Sequence, residues 1–303
     1  MSTTQYLYGQ EEKKSLKFIP QDEQTWKLGV EVEAQGGIME GVVATIPMPI
    51  DWPEQKITII KEDTSRGVRK ITFRKMVGAH QIVVSVPRIN AGQVARAVVT
   101  IKVEKSFIEE SDQPTEDWSI PQKLTRQEKT YLKASPYIET KHPTIKKLAK
   151  ELKAKGENET DWKKVELIFD WVRENLEYEL DPVIRSPLEA LKKGKGDCEE
   201  MTSLFVAICR VNKIPARSVW IPGHTYPEFL LQDKEGNKVW IPCQIAGEGH
   251  DFGRMPERLP ILQKGDNFKV RGLRSPQRYV TQRLTATNAT TTPIVRWIME
   301  EVQ

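Results

Sequence analysis

The chain has 303 residues, about two domains' length at roughly 150 residues per domain. Hydrophobic residues make up 38% of it, with 8 Trp, 8 Phe and 7 Tyr, which is enough to fill cores and excludes wholesale disorder. Its 46 basic against 42 acidic residues leave a formal charge of +4, so composition supplies no electrostatic footprint for nucleic acid or an anionic membrane. No apolar run approaches the roughly 18 residues of a membrane helix, so no membrane insertion is expected. Residues 1–10 lack the apolar stretch of a signal peptide, and the compartment stays open. Three cysteines, Cys198, Cys209 and Cys243, are too few for a disulfide scaffold, and no Cys-x-x-Cys zinc pair occurs.

The first hundred residues alternate with a period of two. Trp26, Leu28, Val30 and Val32 share one face against Lys27, Gly29, Glu31 and Glu33. Ile71 and Phe73 repeat the pattern, as do Ile82, Val84 and Val86, then Val99, Ile101 and Val103. Turn residues separate the runs at Gly36-Gly37, between Pro47 and Pro53, at Ser65-Arg66-Gly67 and at Asn90-Ala91-Gly92. Short strands at this spacing predict an antiparallel β-sandwich over residues 25–106, behind an N-terminal extension of residues 1–24. No polar constellation in this half points to catalysis; a packing or spacer module is expected.

Residues 107–124 read as an acidic linker, with Glu109, Glu110, Asp112, Glu116 and Asp117 around Pro114 and Pro121. From residue 125 to 303 a second domain is expected, and helical spacing begins it. Thr125 and Glu128 have capping-box spacing. Pro143 suits a first helical turn ahead of Ile145, Leu148, Ala149 and Leu152. Trp162, Val165, Phe169, Val172 and Leu176 form another stripe, and Ser186-Pro187 opens a short helix ending at Gly194.

The segment Gly194-Lys195-Gly196-Asp197-Cys198 introduces the strongest helix, with Met201, Leu204, Phe205 and Ile208 on its buried stripe. Asp197 is a natural N-cap, which puts Cys198 in the first turn. Unpaired amides and the helix dipole there favour a thiolate, below the ordinary thiol value of about 8.5. The neighbouring glycines would allow close approach of substrate. Of four histidines, His80 and His142 are expected to be incidental. His224 lies 26 residues after the cysteine, room for a helix out and a strand back; His250, in a glycine-rich loop, is its rival.

Gly196-Asp197-Cys198, then Leu204-Phe205-Val206-Ala207-Ile208-Cys209-Arg210, then Ile214-Pro215-Ala216-Arg217, resembles the core of the transglutaminase-like superfamily. His224 and Trp240-Ile241-Pro242 follow in that family's order, and the outline is similar to bacterial members with an N-terminal β-domain. The resemblance covers about residues 140–250. It implies an α+β fold: the β-sandwich followed by a transglutaminase-like, papain-like core. In that core a cysteine at a helix N-terminus faces a histidine and an aspartate on adjacent strands. Carried over, Cys198 is the nucleophile and His224 the base. The chain departs at the third position, where Gln244 stands in place of the aspartate. Its amide oxygen orients an imidazole but stabilises an imidazolium only weakly; Asp251 and Glu228 are the alternative carboxylates.

The resemblance implies an acyl-transfer enzyme acting on amide bonds of a protein or peptide substrate. Water as acceptor makes it a peptidase or amidase, the preferred reading, and an amine makes it a crosslinking transglutaminase. The Cys198 backbone N–H is one oxyanion donor, with Tyr178 a second candidate. No EF-hand-type loop is present, and neither metal nor cofactor is inferred. The competing class is a catalytically weak or inactive binding scaffold. Cys209 and Cys243 are expected to pack as small hydrophobes. Arg271, Arg274, Arg278 and Arg283 form a basic stretch expected to be solvated, with carboxylate binding as the other reading.

Overall fold

Seven strands open the computed structural model, which describes residues 16–109, 115–181 and 183–302. Residues 1–10 and linker residues Glu110 and Asp112 lie outside the described residues. The strands are β1 (Lys17–Pro20), β2 (Gln24–Glu33), β3 (Met39–Met48), β4 (Gln55–Thr64), β5 (Lys70–Met76), β6 (Ala79–Ile89) and β7 (Val94–Glu109). One antiparallel sheet is built on β7, which pairs with β1, β2 and β4. The other runs β5–β6–β3. Alternation decides what faces inward. Trp26, Leu28, Val30 and Val32 of β2 and Val99, Ile101 and Val103 of β7 meet Val42, Ala44 and Ile46 of β3 and Ile82, Val84 and Val86 of β6 in one core. Ile71 packs against that core, whereas Phe73, further along the edge strand β5, is exposed.

The second unit contains α1 (Pro143–Lys155), α2 (Asp161–Asn175), β8 (Glu177–Tyr178), α3 (Pro187–Lys193), β9 (Lys195–Gly196) and α4 (Cys198–Val211). The strands β10 (Ala216–Ile221), β11 (His224–Gln232) and β12 (Lys238–Pro242) follow. Caps set the helix starts: His142 Nδ1 accepts from Thr144, Thr160 from Lys163 and Ser186 from Leu188. The Thr125–Glu128 box also forms, but it caps a short 3-10 turn at Glu128–Leu132. Helix α4 is buried on nearly every side, between α1, α2 and α3 and the antiparallel sheet β12–β11–β10. The fold is therefore α+β, a β-sandwich followed by a helix-and-sheet core.

The C-terminal segment corrects the expected boundary at 125–303. Strand β13 (Gln263–Lys264) pairs with β10 and, through Gln263 and Ala79, with β6, joining the two units into one nine-stranded sheet. Beyond it, β14 (Arg283–Thr285) and β15 (Asn288–Ala289) add to β3, and β16 (Ile294–Val302) pairs with β2 along its length. The closing segment is thus a strand of the sandwich. Val295, Trp297 and Met299 alternate onto the sandwich core, and β2 offers β16 the unpaired edge that an isolated segment lacks.

Buried ion pairs tie these layers together. Arg210 of α4 meets Asp266 at 2.5 Å and also donates to the carbonyls of Ala216 and Lys133. Lys264 lies 2.6 Å from Glu54 of the sandwich and 2.9 Å from Glu228, which also pairs with Arg217. Removing one member of such a pair strands a buried charge. Asp266→Ala is therefore expected to lower the urea-unfolding free energy by about 3–5 kcal/mol. Glu40→Ala, at the exposed Arg88–Glu40 pair, should cost under about 1 kcal/mol.

Candidate active site

The loop before α4 is shaped to present Cys198. Helix α3 stops at Gly194 in the left-handed region, φ 69°. Strand β9 then pairs in parallel with β8, placing Tyr178 opposite Gly196. Asp197 Oδ1 accepts from the backbone N–H of Glu199 (2.7 Å) and Glu200 (3.2 Å), and Glu200 Oε2 accepts from Asp197 N–H (2.9 Å). This capping box makes Cys198 the first helical residue. A Cβ on Gly196 would sit 3.1 Å from Glu200 Cβ and 3.2 Å from Ala190 Cβ. The close approach required of Gly196 is to its own protein.

Cys198 is only 7% exposed. Burial pushes its thiol up to about 11, with Asp197 and Glu199 adding to the rise. A backbone hydrogen bond from Thr225 and the charge of Arg278 pull the other way. Against the thiolate expected from the helix terminus, desolvation first and then two neighbouring carboxylates favour the neutral thiol. Cys209 and Cys243 are fully buried free thiols, also pushed upward by burial.

His224 opens β11 after the Pro222-Gly223 turn, which needs φ 73° at Gly223. Its Nε2 lies 2.8 Å from Gln244 Oε1. An amide oxygen only accepts, so Nε2 is the donor in this contact, and in the neutral imidazole that leaves the lone pair on Nδ1. The next residue, Thr225, reaches the Cys198 thiol through its backbone, and its carbonyl accepts from Thr202 Oγ1 of α4 at 3.5 Å. The start of β11 is thus fastened to the first turns of α4.

The alternatives are occupied elsewhere. Asp251 Oδ1 is ion-paired with Arg254 Nε at 3.2 Å, and Glu228 is buried between Arg217 and Lys264. His250 is exposed and paired with Asp170 at 2.8 Å. His80 is a residue of β6, and His142 caps α1. Tyr178 sits beside Cys198: burial first, then the Cys198 and Asp197 charges, push its hydroxyl upward.

Two arginines at the site escaped the sequence reading. Arg173 of α2 donates from Nη1 to the carbonyls of Gln244 (2.9 Å) and Ile245 (3.3 Å), and from Nη2 to those of Gly247 (3.0 Å) and Gly249 (2.6 Å). One guanidinium therefore holds the loop that carries Gln244. Arg278, expected on a solvated stretch, is instead 4% exposed. It donates from Nη2 to the carbonyl of Glu199 (2.6 Å) and is flanked by the rings of Tyr137 and Trp220 at 5.2 and 5.4 Å. Its Nε and Nη1 have no hydrogen-bond partner among the described residues. Beside Arg173 opens a cleft of about 370 Å³, lined in part by Leu176, Tyr178, Met201, Ile245, Gly247 and His250; Cys198, His224 and Gln244 lie outside its lining.

Residues 146–249 match the family described as the transglutaminase-like superfamily, a span running from α1 past β12 and including Cys198, His224 and Gln244. Residues 146–249 are a transglutaminase-like domain. The crystal structure of a candidate cysteine protease from Cytophaga hutchinsonii is similar in fold across both units. Its TM-score is 0.59 at 17% identity, covering 95% of this chain and 93% of that one. A candidate protease from Parabacteroides distasonis gives a TM-score of 0.27 at 14% identity over 75% of this chain and 47% of that one. No curated protein matches the sequence.

Since burial in this transglutaminase-like domain keeps the Cys198 thiol protonated, iodoacetamide alkylation of Cys198 should accelerate steadily as pH climbs toward about 11. A rate already at its plateau at pH 7, measured by peptide mapping, would instead reveal a preformed thiolate. Cys209 and Cys243 should react only after denaturation.

Proposed function

We propose that this protein is a cysteine amidase or peptidase in which Cys198 attacks, His224 transfers protons and Gln244 orients the imidazole. The observation that supports it most is the 2.8 Å contact between Gln244 Oε1, on the loop after β12, and His224 Nε2, at the start of the strand that Thr225 fastens to the first turns of the Cys198 helix. That contact leaves Nδ1 as the base.

The sequence of events follows from the protonation states. The thiol starts neutral, so its proton passes to His224 Nδ1 as sulfur bonds to the amide carbon. The carbonyl π pair moves onto oxygen, and the oxyanion accepts from the Cys198 backbone N–H, which a first-turn position leaves free of helical bonding. Tyr178, beside Gly196, is the second donor candidate. His224 then gives its proton to the leaving nitrogen as the C–N bond breaks. Water adds to the thioester, its proton taken by His224, and the acid leaves as the thiol reforms. Gln244 stays neutral throughout, so the imidazolium gains less support than a carboxylate would provide. Proton transfer concerted with attack, rather than a standing ion pair, is the consequence. Water is the acceptor in this reading; an amine acceptor would give crosslinking through the same acyl-enzyme. The missing carboxylate favours the second reading, a non-catalytic scaffold.

Hydrolysis of a peptide library, run alongside incorporation of a fluorescent primary amine, distinguishes these. Cys198→Ala and His224→Ala should abolish turnover; retention of activity by either would overturn the assignment. Gln244→Ala should lower kcat by roughly 10²-fold, within the range by which general acid–base groups contribute, with KM little changed. Asp251→Ala should leave kcat unchanged.

Arg173→Met tests the loop clamp. It should lower kcat in the same direction as Gln244→Ala, and the double variant should be no slower than the worse single one. A full multiplicative loss would show that Arg173 acts independently of Gln244.

A further inference from the structure

A second cleft, of about 500 Å³, lies on the outer face of the sandwich sheet, opposite its core. Its floor is set by register. Thr72, Val83, Thr45 and Arg283 are successive partners across β5, β6, β3 and β14, and Lys70, Ser85, Val43 and Thr285 form the parallel row. Three strand spacings separate the outer strands, about 14 Å, which is room for one extended chain between them. Lys70 and Arg74 rise from β5, Arg283 from β14, and Arg271 closes one end from the 270–272 loop.

Four cations line this cleft and no carboxylate does. Arg74 donates to the neutral amide oxygen of Gln81 at 3.2 Å. Lys70, Arg271 and Arg283 make no ion pair among the described residues. Where carboxylates are at hand the same fold does pair its cations, as with Arg96 and Glu31, Arg210 and Asp266, and Lys264 and Glu54. With 46 basic and 42 acidic residues in the chain, this local excess comes from placement rather than composition. A concave surface of one sign focuses its field on the space it encloses.

The lining also selects among anions. Thr45, Thr72, Ser85 and Thr285 add hydroxyl donors, and the arginine forks suit carboxylates. No aromatic ring lines the cleft, so it lacks the stacking platform that single-stranded nucleic acid uses. The connection to chemistry is short. The loop that supplies Arg271 continues to Arg278, which hydrogen-bonds the carbonyl of Glu199, next to Cys198.

We infer that this cleft is an exosite holding an acidic peptide segment of the protein substrate. As a substrate site it rests on the proposed amidase function; as an acidic-peptide site it is measured without catalysis. The full chain carrying Cys198→Ala is titrated into a fluorescein-labelled twelve-residue peptide rich in Asp and Glu, with its Asn/Gln counterpart as control, and followed by anisotropy.

The acidic peptide should bind and the control should not, and binding should weaken with salt. Adding Arg271→Glu with Arg283→Glu should weaken binding by roughly tenfold or more, as loss and reversal of two charge contacts would. Adding Arg66→Glu in an exposed turn should leave it unchanged. Melting temperatures of each variant report folding. Equal binding of both peptides, parental affinity in the folded double variant, or tighter binding of an oligonucleotide of equal charge would overturn the inference. In the enzyme with Cys198 intact, an acidic tag on the substrate should lower KM, and the double variant should lose that gain at constant kcat. Binding without hydrolysis would sink the amidase proposal and leave a peptide-binding cleft; hydrolysis insensitive to tag and double variant would do the reverse.

Discussion

Helix α4 is buried on nearly every side, and a helix so placed must satisfy its end groups from within the protein. That requirement organises the second unit. At the N-terminus, Asp197 and Glu200 take the free amides, and the same box anchors Arg185 through Glu200 Oε1. Near the C-terminus, Arg210 gathers the carbonyls of Ala216 and Lys133 and the carboxylate of Asp266. Each tie draws in a different segment: the strand after the helix, the 133–135 turn, and the stretch that returns through β13 to the sandwich. Presentation of Cys198 and attachment of the two units are consequences of one buried helix.

Burial also sets the electrical state of Cys198. A helix N-terminus favours an anion, yet the Cys198 thiol is pushed up to about 11 because it is desolvated and has Asp197 and Glu199 beside it. The capping carboxylate that locates the cysteine therefore opposes its ionisation. Thr225 and Arg278 work in the other direction. In the proposed mechanism this balance makes His224 a partner in the attack rather than the counter-ion of a stored thiolate. In the same proposal an orienting amide suffices, because the charge of a carboxylate is needed only while the proton is on the imidazole.

Much of the local structure was legible in the residues. The stripe Met201, Leu204, Phe205 and Ile208, the Asp197 cap and the alternation of β2, β6 and β7 each depend on neighbours within a few positions. Helix and strand periods register at that range. Arg173 and Arg278 were not legible, because an arginine in a helix or basic run reads as surface until its partners are known. Arg173 reaches carbonyls more than seventy residues away, and Arg278 reaches one seventy-nine residues back. The C-terminal strand was missed for a related reason: β16 is a strand because β2 offers an open edge, a property of another segment.

Taken alone, the sequence determined most of the elements up to β12 and the position of Cys198 at a helix start, while the set Cys198, His224 and Gln244 came from the family resemblance. The elements and the helix start follow from capping and periodicity, which act over a turn or two of chain. Only the tertiary structure decided that Gln244 rather than Asp251 meets His224, and that four cations share one cleft without a carboxylate. It also decided that Cys198 is desolvated beside two carboxylates, which pushes its thiol upward. Those outcomes depend on which distant groups share a small volume and how much water is excluded from it, and chain order carries neither quantity.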